Sequence, residues 1–184
     1  LETEIGGVQV YENAIECAVQ PELKEEWEKY LEETKNHERI LRGVFETLGL
    51  NAEKQTPGRQ VVRHKGQSLI KAIRMAKESG PPEAAQLVAA ESVVEAETKD
   101  HLNWELIGQV AKKMTGEDAK ALKEAYEEVE EQEDEHLYHT TGWTRELWIE
   151  SLDLPAVLPP PEEEKDVKTA IGAARAKQQR SEML

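Results

Sequence analysis

One stretch of sequence decides the fold: Val129-Glu130-Glu131-Gln132-Glu133-Asp134-Glu135-His136. It belongs to a longer segment whose core-facing residues recur every three or four positions, as they do on one face of a helix. That face carries Leu122, Tyr126, Val129, Glu133, His136, Thr140 and Trp143. Burying a carboxylate is costly unless it is paired or bound to a metal ion. Glu133 and His136 therefore predict metal ligands inside a helical bundle, because dimetal carboxylate bundles use the same Glu-x-x-His spacing.

Three further long helices are predicted from apolar periodicity and from the positions of Pro and Gly. With the helix above, they span residues 3–19, 21–48, 83–114 and 117–152. A long polar connection at residues 51–66 and a short helix at residues 68–77 join the second long helix to the third. Two short-loop hairpins joined by one long crossover are the ferritin-like form of the four-helix bundle.

The composition agrees with an all-α fold. The chain has 184 residues, which suits one domain with a tail, and Glu, Ala, Lys and Leu dominate it. No segment alternates apolar and polar residues as a half-buried strand does. We predict a bundle over residues 1–152. Residues 153–184 are predicted to be a Pro-rich acidic tail with a short helix at about 166–177 and a disordered end.

The charge of the chain excludes some partners. Its formal net charge is -15, whereas binding to nucleic acid requires a basic surface. The same charge argues against adhesion to anionic membranes and suits a protein that attracts metal cations. No apolar run reaches membrane-spanning length and no signal peptide is visible, so we expect a cytoplasmic protein. Cys17 is the only cysteine, so there is no internal disulfide framework.

The first hairpin offers candidate ligands on both of its helices at the same distance from the turn. Glu33 and His37 are spaced i, i+4 and share the inner face of the second helix. They lie about 13 and 17 residues beyond a turn near Gln20, so their antiparallel neighbours fall at about positions 3 to 7. Glu4 is at that level, whereas Glu12 is roughly two turns away. We therefore predict Glu4 as the ligand from the first helix.

The second hairpin leaves two choices open. The same reasoning around Thr115 places residues 95–98 opposite Glu133 and His136. One candidate inner face of this third helix contains Glu95, and the other contains Glu97 and His101. We choose Glu95, with Glu97 and His101 as alternatives. In the fourth helix Glu130 is the alternative carboxylate, and His139, beside the inner face, is expected at the surface or its boundary.

Together these residues predict a site for two divalent metal ions. Its ligands are Glu4, Glu33, His37, Glu95, Glu133 and His136. Four carboxylates offset the charge of two divalent ions. Oxygen and imidazole ligands suit Fe or Mn, and also Zn.

Some segments resemble one branch of a known superfamily. Leu31-Glu32-Glu33-Thr34, with Glu38-Arg39-Ile40 and Phe45-Glu46-Thr47-Leu48-Gly49, resembles the second helix of the YciF-like stress-associated branch of the ferritin superfamily. The run from Ala84 to Glu95 resembles the third helix of that branch. The Glu133 and His136 pair is more similar to rubrerythrins and ferritins. Two positions depart from the branch, which often has Gln at the position of His37 and a second Glu at that of Thr98.

The resemblance implies a function that the residue pattern alone does not. It supports Glu4, Glu33 and Glu95 as ligands, and it implies a dimetal protein, often a homodimer, linked to stress. Such proteins act on oxygen or peroxide, so peroxidase, ferroxidase and manganese-catalase activities are the expected oxidoreductase types. The alternative is a helical protein without turnover, either binding metal or acting as a metal-free interaction protein.

Overall fold

The computed structural model describes residues 1–165 and 167–184. All the regular secondary structure in these residues is α-helical. The helices are α1 Glu2–Ile15, α2 Pro21–Thr47, α3 Pro57–Ser79, α4 Pro82–Ala111, α5 Glu117–Ser151, α6 Pro161–Glu164 and α7 Ala170–Met183. The predicted all-α class is confirmed. Across this described part of the chain, no helix has the length and apolar character needed to cross a membrane.

The long helices begin and end at the expected kinds of residue. Pro21 and Pro82 occupy first-turn positions of α2 and α4, where proline's missing N–H costs nothing. Gly49 after α2 and Gly116 before α5 have φ of 64° and 89°, a backbone conformation that favours glycine. The first helix ends at Ile15 rather than Val19, and the other predicted ends agree to within a few residues.

The crossover contains far more helix than predicted. α3 has 23 residues and begins at Pro57, so the prediction of a loop through residue 66 was wrong. Thr56 caps this helix by accepting a hydrogen bond from the Arg59 N–H at 3.1 Å. The Pro57 and Gly58 pair resembles a loop signal, but here proline stands in the first turn, where it starts a helix.

Helices α1, α2, α4 and α5, the four long helices of the prediction, pack around one core. α3 lies outside this core, against α1 and α4. Two apolar clusters fill the core. One is built around Trp27, Trp143 and Val93 and the other around Trp104 and Val129. Along each long helix the two clusters are separated by about two turns that carry buried polar residues. This polar layer is the central layer of the bundle, and the candidate site lies in it.

The C-terminal segment folds back onto α5, so its predicted disordered end was wrong. Arg180 of α7 is only 5 % exposed and pairs with Glu146 of α5 at 2.8 Å and with Glu162 of α6 at 3.3 Å. Arg145 of α5 also pairs with Glu162. The predicted short helix corresponds to α7, which begins later, at Ala170. The prediction began at Asp166, which lies outside the described residues.

Candidate metal centre

Six ionisable side chains from four helices meet in the polar layer. They are Glu4 of α1, His37 of α2, Glu97 and Asp100 of α4, and Glu133 and His136 of α5. All are buried, with between 0 and 6 % of their surface exposed. Ionisable groups are rarely buried to this degree unless they are paired or bind a metal.

Both imidazoles are held from their outer sides. His37 Nε2 lies 2.8 Å from Gln132 Oε1, and His136 Nε2 lies 2.9 Å from Glu33 Oε2. In the neutral imidazole a proton on Nε2 leaves the Nδ1 lone pair free. Both Nδ1 atoms face the carboxylates of the layer. Holding the outer N–H of a histidine in this way is the usual support for a metal ligand.

The inner atoms lack hydrogen-bond partners within the described residues. These atoms are Glu4 Oε2, His37 Nδ1, Glu97 Oε2, Glu133 Oε2 and His136 Nδ1. An acceptor buried without a partner costs about 1–3 kcal/mol. His37 Nδ1 is only 3.0 Å from Glu133 Oε1, so two acceptors face each other unless a proton or a cation lies between them. A proton or a cation placed among these atoms would satisfy them.

Five of the six side chains form two groups with one shared member, and Glu97 belongs to neither group. His37, Glu133 and His136 form the first group, and Glu4, Asp100 and Glu133 form the second. Within each group the potential ligand atoms all lie within 4.8 Å of one another. Glu133 belongs to both groups.

Three carboxylates of the layer, those of Glu4, Asp100 and Glu133, hold protons more tightly than carboxylates in water do. Burial, followed by the charge of Asp100, raises the pKa of Glu4 and of Glu133 well above the ordinary value. Burial, followed by the charge of Glu97, raises the pKa of Asp100 to about 7. A metal ion at this site would replace those protons.

The two histidines titrate in opposite directions. Burial, and then the charge of His136, lowers the pKa of His37 to about 4. Burial also opposes the charged form of His136, but the carboxylates of Glu33 and Glu97 outweigh it and raise its pKa to about 9. Without a cation His136 therefore carries the positive charge of the layer.

The structure brings together most of the predicted ligands. Glu4, His37, Glu133 and His136 all lie in the layer, and Glu12 is exposed as expected. Glu33 takes a different position from the one predicted. Its side chain is 18 % exposed and contacts the outer nitrogen of His136 rather than the centre.

Three candidates lie elsewhere. Glu95 is exposed and borders a groove between α1, α3 and α4, so choosing its face was wrong, and the alternative Glu97 is the buried one. The reason is that α4 packs against α1, α3 and α5, which makes both of its candidate faces apolar. His101 pairs with Asp134 at 2.7 Å, and Glu130 is exposed and accepts a hydrogen bond from Tyr126.

Sequence reasoning missed Asp100 and misplaced His139. Asp100 follows Glu97 by three positions, the same interval that separates Glu133 from His136, and that spacing was the available signal. His139 is only 7 % exposed, so its predicted boundary position was wrong. It is covered because α6, in the supposed tail, packs against α5.

Comparisons of the chain with protein-family models, with curated proteins and with solved structures find no match. Its function is therefore argued from the geometry of this centre.

Proposed function

We propose that this chain is a ferritin-like protein that binds two divalent cations, Fe²⁺ or Mn²⁺, and uses them to act on peroxide or oxygen in stress protection. The observation that carries the proposal is the meeting of buried carboxylate and imidazole atoms from four helices that have no hydrogen-bond partner within the described residues. The order of helices adds support, because the hairpins α1–α2 and α4–α5 are joined by the long crossover helix α3.

The spacing of the atoms suits a metal ion. Two ligand atoms at about 2.1 Å from one ion lie about 3.0 Å apart at right angles and about 4.2 Å apart on opposite sides. His37 Nδ1 lies 3.0 Å from Glu133 Oε1 and 3.9 Å from Glu4 Oε2. His136 Nδ1 lies 3.7 Å from Glu97 Oε2 and 4.0 Å from Glu133 Oε1. All four separations fall in the range that a shared ion requires.

The charge of the layer also suits two ions. Glu4, Glu97, Asp100 and Glu133 carry four negative charges when ionised, which equals the charge of two divalent cations. Carboxylate and imidazole ligands suit Fe²⁺, Mn²⁺ and Zn²⁺. Bound Fe or Mn would supply the change of oxidation state that reduction of peroxide or oxygen needs.

The protein's own groups would orient the ligands and exclude water. Trp104 Nε1 donates a hydrogen bond to Glu4 Oε1 at 2.6 Å, which leaves Oε2 directed into the layer. The Tyr30 ring lies 4.2 Å from the His136 ring, centroid to centroid, and closes one side. Burial and the charge of Glu97 raise the pKa of Tyr11. Its hydroxyl therefore keeps a proton that it can donate to a substrate oxygen.

The test is metal content followed by turnover. The protein is made in Fe- or Mn-supplemented medium and purified without chelator. It should contain about two metal ions per chain, measured by inductively coupled plasma mass spectrometry. Glu133→Gln should lose most of that metal, because the shared ligand is removed. Glu130→Gln, an exposed change on the same helix, should not. Protein without Fe or Mn, or full loading of Glu133→Gln, would contradict the proposal.

The same preparations distinguish the possible activities. Release of oxygen from peroxide indicates manganese-catalase activity, and peroxide loss that depends on an electron donor indicates a peroxidase. Oxidation of added Fe²⁺ by oxygen indicates a ferroxidase. Full metal loading with none of these reactions would leave metal binding without turnover as the function.

A further inference from the structure

A second group of polar residues lies across Tyr30 from the central layer. It lines a surface cavity of about 700 Å³ between α2, α5 and the segment containing α6. Six glutamates line this cavity: Glu22, Glu25, Glu26, Glu135, Glu163 and Glu164. Only two lysines, Lys29 and Lys165, accompany them. The cavity therefore has an excess of negative charge that attracts cations.

The hydrogen bonds around Glu26 fix the tautomer of His139. Tyr30 O–H donates to Glu26 Oε1 at 2.7 Å, and Trp143 Nε1 donates to Glu26 Oε2 at 2.9 Å. His139 Nδ1 lies 2.9 Å from the Tyr30 oxygen and 3.3 Å from Glu26 Oε1. A phenol has one proton, and here Glu26 receives it. In its neutral form His139 therefore carries its proton on Nδ1, which leaves the Nε2 lone pair free.

The free nitrogen of His139 has nothing to bind within the described part of the chain. Nε2 is buried and lacks a hydrogen-bond partner, although the side chain lines the acidic cavity. A carboxylate that holds one imidazole nitrogen while the other faces a cavity is the arrangement found behind metal-binding histidines. Glu26 has this supporting position, because both of its oxygens are already engaged.

Glu163 is the carboxylate best placed to join His139. Glu135 is engaged by Lys29 at 2.8 Å. Of the other glutamates at the cavity, Glu22, Glu25 and Glu164 are exposed, whereas Glu163 is half-buried. Burial, and then the charge of Glu26, raises the pKa of Glu163, and His139 acts in the opposite direction. Glu163, Glu26 and His139 all line this one cavity.

The ion pairs of the C-terminal segment hold Glu163 in place. The preceding residue, Glu162, is 2 % exposed and pairs with Arg145 and Arg180. These contacts fix α6 against α5 at the edge of the cavity. The buried ion pairs therefore give the C-terminal segment a role, since they bring a carboxylate from outside the four long helices to the cavity that His139 also lines.

We propose that this cavity is a second cation site, which binds a divalent transition-metal ion such as Zn²⁺ through His139 Nε2 and the Glu163 carboxylate, with water completing the coordination. Imidazole nitrogen and carboxylate oxygen are both common ligands of such ions. The site shares no ligand with the central layer, so its occupation does not depend on the function proposed above.

The test counts Zn²⁺ bound by the full chain in equilibrium dialysis at about 0.3 M salt, where charges more than roughly 6 Å apart are largely screened. Glu163→Gln should lose one class of bound Zn²⁺ or weaken it at least tenfold. Glu25→Gln makes the same charge change at an exposed position of the same cavity and should bind as the unmodified chain does. Equal Zn²⁺ binding by the two variants would overturn the proposal, whether both bind normally or both lose the ion.

Imidazole resonances give a direct second measurement. In a long-range ¹H–¹⁵N correlation spectrum of the unmodified chain, Zn²⁺ should shift the His139 Nε2 signal and leave its Nδ1 proton in place. Glu133→Gln, which alters only the central layer, should keep this shift. A His139 signal that does not respond to Zn²⁺, or that responds only when the central layer is intact, would overturn the proposal.

Discussion

Replacing Asp100 by Asn should change stability in opposite directions with and without metal. The ordinary aspartate pKa is 3.8, and in the folded chain that of Asp100 is about 7. The folded state therefore binds a proton that the unfolded state releases, so stability falls as pH rises through this interval. At about 1.4 kcal/mol per pH unit, the cost to the metal-free protein at pH 7 is roughly 4 kcal/mol.

Asn removes this cost because it has nearly the same shape and no charge. Lost hydrogen bonds to neighbouring residues offset about 1–2 kcal/mol of the gain. We expect Asp100→Asn to be more stable than the unmodified chain by roughly 2–3 kcal/mol in chelator at pH 7, which raises Tm by about 5–10 °C. At pH 4 the gain should disappear, because this pH is close to the unfolded-state pKa of 3.8 and the remaining cost is below about 1 kcal/mol.

With metal the sign should reverse, because the variant lacks one ligand. Thermal unfolding followed by circular dichroism, with excess chelator or excess Mn²⁺, measures both effects. Glu95→Gln is the control, since it removes one charge from an exposed position of the same helix. The reasoning is refuted if Asp100→Asn gains no more than Glu95→Gln in chelator, or if Mn²⁺ raises its Tm as much as that of the unmodified chain.

Five further outcomes are expected. Between pH 6.5 and 9 the folded chain keeps the His136 proton that the unfolded chain loses. Metal-free protein should therefore lose about 1.4 kcal/mol per pH unit in urea unfolding, a slope that His136→Gln should reduce. Arg180→Ala removes the buried partner of Glu146 and Glu162 and leaves them only the partly exposed Arg145, so we expect a loss of about 3–5 kcal/mol and rapid proteolysis of the C-terminal segment. Gly108→Ala should cost about 1–3 kcal/mol in the same assay, because its Cβ would lie 2.8 Å from a tyrosine ring. Gly43→Ala, with open space around it, should gain up to about 1 kcal/mol. The homodimer stays a prediction; light scattering should give twice the 20.8 kDa chain mass, and the chain mass itself would contradict it.

The depth of the central layer could be predicted from the sequence because it depends only on helix geometry. Antiparallel helices joined by a short turn keep residues at equal distances from that turn at the same level. This placed Glu4 level with His37 and excluded Glu12, and the structure buries the first and exposes the second. The same reasoning brought the correct part of α4 opposite Glu133 without any knowledge of side-chain contacts.

The rotation of α4 and the position of the C-terminal segment could not be predicted in this way. Because α4 is covered on several sides, hydrophobicity does not distinguish the face of Glu95 from that of Glu97. The C-terminal segment is polar, and Arg180 becomes buried only because Glu146 and Glu162 compensate its charge. Such pairing depends on residues distant in sequence, so local composition predicted a disordered end instead.

The unusual spacing of Glu33 and His37 has a steric explanation. In a Glu-x-x-His pair the carboxylate would stand at position 34, where the structure has Thr34, which is 2 % exposed. Thr34 donates its hydroxyl to the Tyr30 carbonyl at 2.8 Å, and a Cβ on Gly7 would already lie 3.3 Å from its methyl group. The close approach of α1 leaves no room for a larger side chain there. The carboxylate therefore stands one position earlier, where it supports His136 from outside, and Asp100 supplies the fourth inner carboxylate.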